Sequence, residues 1–80
     1  MYVLGNKICD EHNIPFQILK PLIKETADKI VSLKPIDAQT GPALRRDSKT
    51  IEKHLAFLEE NIHLKNLYLT LTESIQNYNV

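Results

Sequence analysis

Apolar residues in this chain recur three and four positions apart, and strand-like alternation is absent. That period restricts the fold more than any other feature, because it places apolar side chains on one face of a helix and not on a pleat. An all-α chain is expected, a small bundle of about four helices. The first runs from Tyr2 to His12, with Met1, Tyr2, Leu4, Gly5, Ile8 and Cys9 spread over a wide arc and no capping residue ahead of it. Asn13, Ile14 and Pro15 break it. The second runs from Phe16 to Leu33 with the stripe Leu19, Leu22, Ile23, Thr26, Ala27, Ile30 and Val31, and its regular part begins near Lys20 if Pro21 is to be tolerated. Glu25 and Lys29 are ordered for an i,i+4 ion pair.

An irregular stretch follows, with a short helical turn at Ile36–Gln39. Asp47 or Ser48 then caps a third helix reaching Glu60, with the stripe Ile51, His54, Leu55, Leu58 and Ile62. Asn61–His63 separate it from a fourth, Leu64 to Tyr78, whose stripe is Leu64, Leu67, Tyr68, Leu71, Ile75 and Tyr78. Phe57, Leu69, Val3 and Tyr2 fall outside the stripes. On a chain of 80 residues, which buries a small share of its surface, such residues point to an interface with a partner.

Composition removes several function classes. Lys plus Arg and Asp plus Glu both number 10, so the basic excess of a general nucleic-acid binder is missing. The single cysteine, Cys9, cannot form an internal disulfide. No apolar run approaches the roughly 20 residues that span a bilayer, and no signal peptide is visible. Cytoplasmic residence is the default expectation. Cys9, His12, His54 and His63 are the potential metal ligands, but they lack the paired spacing of a zinc site, so no metal is expected. Gly5 and Gly41 are isolated, so no phosphate-cradling loop is read, and no set of residues converges as an independent catalytic site would.

One cluster invites a ligand. Arg45, Arg46, Asp47, Ser48 and Lys49 stand at the start of a helix, where free N–H groups and paired arginines suit a phosphate or carboxylate. The plainer reading is that Asp47 caps the helix and the arginines are solvated.

The stretches "PLIKETADKI" and "AQTGPALRRDSKTIEKHLAFL" resemble the C-terminal helical domain of a family of Rossmann-like proteins of undefined function that look like NAD(P)-dependent oxidoreductases. That domain is similar in fold to the C-terminal domains of 6-phosphogluconate dehydrogenase, ketopantoate reductase and pyrroline-5-carboxylate reductase. Thr40, Gly41, Pro42, Ala43, Arg45, Asp47, Thr50, His54 and Leu55 match the family pattern. Arg46 stands where the pattern has Gly. The resemblance implies that residues 1–80 are one helical domain, a fragment lacking an N-terminal Rossmann domain. It implies NAD(P) for the parent protein and no cofactor bound by this chain alone. It also implies homodimerisation and a wall of the substrate cleft, with Thr40, Gly41, Pro42, Arg45 and Asp47 as the cleft candidates and Thr40, Arg45 and Asp47 as its polar contacts. The alternative is a free-standing helical module for protein–protein interaction without a catalytic role.

Overall fold

A computed structural model describes residues 1–78. It is all-α among these residues: six α-helices and one 3-10 turn, in two compact units. The four expected helices are present, and the short helical turn expected at Ile36–Gln39 is found at Pro35–Ala38; the single-turn helix Pro42–Arg45 is the added element.

The first unit is Met1–Ala38. Helix α1, Tyr2–Glu11, stops in a Schellman turn. Ile14 N–H donates to the Cys9 carbonyl at 2.8 Å and Asn13 N–H to the Asp10 carbonyl at 3.3 Å. Asn13 takes the left-handed conformation this turn requires, φ 57°, which Asn tolerates better than most residues. Pro15 then starts a 3-10 turn, Phe16–Leu19, that leads straight into α2, Lys20–Ser32. Pro21 sits in the first turn of α2, where its missing N–H costs nothing. Leu33 is extended, and Lys34 precedes Pro35, which disfavours helix at that residue. One further turn, α3, spans Pro35–Ala38. Cys9 is buried, with Leu4, Ile8, Phe16, Leu19 and Ile23 half-buried. The outer residues of the α2 stripe are bare: Leu22, Ile30 and Val31 are all more than half exposed, Val31 at 88%.

The second unit is Gln39–Val80. It holds α4 (Pro42–Arg45), α5 (Ser48–Phe57) and α6 (Ile62–Tyr78), with α4 lying against both longer helices. Helix α5 ends at Phe57, short of the expected Glu60. Leu58 N–H turns to the His54 and Leu55 carbonyls, Glu59 N–H to Ala56 and Asn61 N–H to Leu58. Asn61 then serves as the cap of α6, its side-chain oxygen accepting from Leu64 N–H at 3.2 Å. The cap needs non-helical backbone, so α5 must stop before it, and α6 begins two residues earlier than Leu64.

Four residues of the expected α6 stripe, Leu64, Leu67, Tyr68 and Ile75, are half-buried. Two, Leu71 and Tyr78, are exposed, while Thr72 is buried and Leu69 half-buried. The most covered position on the helix is thus a small residue beside the stripe and not Leu71. No helix among the described residues is long and apolar enough to cross a membrane.

Candidate functional site

The segment Thr40–Asp47 is built around two backbone positions that few residues accept. Gly41 has φ 113° and ψ 173°, a region essentially restricted to glycine. A Cβ there would meet nothing within 4 Å, so its need for glycine is conformational and not steric crowding. Pro42 follows as the first residue of α4, with φ preset for helix. Four residues later Arg46 takes φ 54° and ψ 40°. Arg46 N–H donates to the Ala43 carbonyl at 3.2 Å and Asp47 N–H to the Pro42 carbonyl at 2.9 Å. These bonds form a second Schellman turn. The left-handed turn is thus kept although an arginine occupies the position where the family pattern has Gly.

Arg46 also gains a partner that its local sequence does not reveal. Its Nη2 donates to the Gln76 carbonyl at 3.0 Å. Gln76 lies in the last turn of α6, where unsatisfied carbonyls and the negative end of the helix dipole favour a cation.

Asp47 is the cap of α5. Oδ1 accepts from Thr50 N–H at 3.2 Å and Oδ2 from the Thr50 hydroxyl at 2.8 Å. The Thr50 hydroxyl, then the Thr50 N–H, hold the Asp47 carboxyl below the usual carboxylate range, with smaller help from the Arg45 and Lys53 charges against the effect of desolvation. The anion site at this helix start is therefore filled by the chain's own carboxylate. Of the five-residue charged cluster, Asp47 and Arg46 have structural partners.

Arg45 does not. Its nearest counter-charge is Asp47, with Nη2 4.0 Å from Oδ2, and the side chain is 60% exposed. Such a pair contributes little and leaves the guanidinium fork open to a carboxylate or phosphate. Thr40 is exposed and its hydroxyl has no partner among the described residues. Thr40 and Arg45 thus bracket α4 as open polar groups, while Gly41, Pro42 and Asp47 hold the backbone between them.

A second polar pair went unread in the sequence. His54 Nδ1 lies 2.7 Å from the Tyr68 hydroxyl, with the rings edge to face at 5.5 Å. Fourteen residues separate them, so no local spacing marks the pair. With the imidazole proton on Nε2 the Tyr68 hydroxyl donates to Nδ1, and with it on Nδ1 the hydroxyl accepts; the contact suits either tautomer. Desolvation raises the Tyr68 hydroxyl above its ordinary value. Among the described residues no three His, Cys, Asp or Glu come together as metal ligands.

The chain is similar to the crystal structure titled putative NADP oxidoreductase from Bacteroides fragilis, with 42% identity and a TM-score of 0.92 over 96% of this chain. It spans 30% of the length of that protein. No curated protein matches the chain. The resemblance read from the Thr40–Leu55 segment is borne out by that likeness and by the family model that matches residues 1–75. The chain belongs to the family of the domain of unknown function DUF2520.

Proposed function

We propose that this chain is the C-terminal helical domain of an NADP-dependent oxidoreductase, that it lines one wall of the substrate cleft, and that it joins two copies of the protein. The observation that carries this reading is the 42% identity to 30% of an NADP oxidoreductase's length. In that division of labour the dinucleotide is held elsewhere in the parent, since this chain contributes no glycine-rich turn at a helix start. The cofactor supplies hydride chemistry, and the Thr40–Asp47 segment supplies substrate contacts. Gly41 and the Asp47 cap set the segment's backbone. Arg45 orients an anionic group of the substrate through paired N–H donors, and the Thr40 hydroxyl adds a donor or acceptor beside it.

Two measurements test the reading. NADPH fluorescence titrated with this chain alone is expected to show no saturable binding, and saturable binding would overturn the division of labour. A structure of the intact oxidoreductase with NADPH bound is expected to place Thr40 and Arg45 at the cleft edge facing the nicotinamide. If they face away from it, the cleft role is wrong.

A further inference from the structure

The second unit carries a row of polar side chains that runs from α4 along α5 to α6. Arg45 Nη2 stands 4.0 Å from Asp47 Oδ2, and that same oxygen accepts from the Thr50 hydroxyl at 2.8 Å. His54 lies one helical turn beyond Thr50 on the same face of α5. Its Nδ1 meets the Tyr68 hydroxyl of α6 at 2.7 Å. The middle of the row is satisfied from within, because Thr50 engages both oxygens of Asp47. The ends are open. Arg45 is exposed, and so is His54, whose Nε2 has no partner among the described residues.

Tyr68 makes the open end of His54 adaptable. Its ring stands edge to face on the imidazole and its hydroxyl takes up Nδ1, so Nε2 is the nitrogen left to a ligand. Because the hydroxyl serves either tautomer, Nε2 can donate to a carbonyl oxygen or accept from a hydroxyl without disturbing the pair. A carbonyl and its alcohol are the two forms of a substrate that an oxidoreductase interconverts.

We infer that His54, positioned by Tyr68, holds the reacting oxygen of a substrate whose anionic group sits on Arg45. His54 stands seven residues beyond Asp47, about 10 Å along the helix axis. A hydrogen bond of about 2.8 Å at each end leaves roughly 5 Å between the anionic group and the oxygen. The Asp47 carboxylate between the two ends repels a second negative charge, so the far oxygen belongs to a neutral carbonyl or hydroxyl. The substrate class is a carboxylate or phosphate that carries a ketone or alcohol a few bonds away. The inference rests on the cleft reading of the proposed function and adds the residue that meets the substrate's oxygen.

The test follows the His54 ring protons of the whole chain by NMR at about pH 8, where an ordinary imidazole is neutral. The probe is levulinate, a carboxylate with a ketone beyond two methylenes. It is expected to shift the His54 signals saturably at millimolar concentration. Valerate, which lacks the ketone, and succinate, which has a second carboxylate in its place, are each expected to bind about threefold more weakly or worse. Arg45→Ala is expected to weaken levulinate about tenfold. Tyr68→Phe is expected to weaken it about threefold and to alter the balance of the two His54 tautomers, read from the ring carbon shifts, while circular dichroism shows the helices kept. Levulinate that moves the Arg45 side-chain signals and leaves His54 unmoved would overturn the His54 contact while the cleft reading stands. Equal shifts from valerate, or an undiminished response in Arg45→Ala, would overturn the two-ended site. Silence at both residues would overturn the His54 contact together with the anion-holding role of Arg45.

Discussion

Gly41 and Arg46 do opposite things with the same freedom. Gly41 occupies a backbone region that only glycine enters without strain, and no neighbour crowds it. Gly41→Ala is therefore expected to destabilise the chain by ~1–3 kcal/mol through backbone strain alone, read from the urea midpoint. A change within ~0.3 kcal/mol would show that the turn relaxes freely. Arg46 holds a left-handed conformation at a cost of ~1 kcal/mol that a glycine would not bear. In return its guanidinium reaches the Gln76 carbonyl, an exposed bond worth a fraction of that. Arg46→Gly is expected to stabilise by ~0.5 kcal/mol, whereas Arg46→Ala, which keeps the strain and loses the bond, is expected to destabilise by a few tenths. If both variants shift in the same direction, the balance between strain and bond is wrong. The Gly41–Pro42 pair marks a break in the sequence, but the glycine-only conformation and the helical turn after it show only in the structure. The partner of Arg46 was not readable either, because thirty residues separate the two groups.

Helix starts were the most readable elements. Asp47 was one of two residues expected to cap α5, and the structure selects it through Thr50. Asp47→Ala is expected to cost about 1 kcal/mol by chemical denaturation. The pH dependence follows from the same bonds. The Asp47 carboxyl titrates below its unfolded value, so its contribution is present above the ordinary carboxylate pKa and is lost as pH falls through the lower folded value. Native protein is expected to lose stability below about pH 4, and Asp47→Ala is expected to flatten that part of the profile. Equal acid slopes in the two proteins would remove Asp47 as the cause. Helix ends and faces were read less well. The end of α5 depends on Asn61 capping the next helix. The covered face of α6 depends on α4, a single turn hidden in a stretch whose Gly and Pro read as irregular.

For the whole molecule, the scarcity of buried residues matters most. Cys9 and Thr72 are the buried residues among those described, and neither is a large aliphatic side chain. A core this small stands to gain stability from the proposed joining of two copies. The melting temperature is expected to rise with protein concentration, by a few degrees for each tenfold increase, since association adds about 1.4 kcal/mol per dimer per decade. A melting temperature independent of concentration would mean that the chain is stable by itself.

The sequence alone carried the family likeness, and it determined the helical class, the breaks at Asn13–Pro15 and Gly41–Pro42, and a cap for α5 at Asp47 or Ser48. All of these rest on interactions within about six residues of chain, such as a turn, a cap or a helical period. Only the tertiary structure decided that Thr72 is covered in place of Leu71, that Arg46 binds the end of α6, that His54 meets Tyr68, and that the outer face of α2 stays bare. An apolar stripe shows that a face needs covering. What covers it depends on contacts between residues far apart in the chain, and no local pattern encodes those.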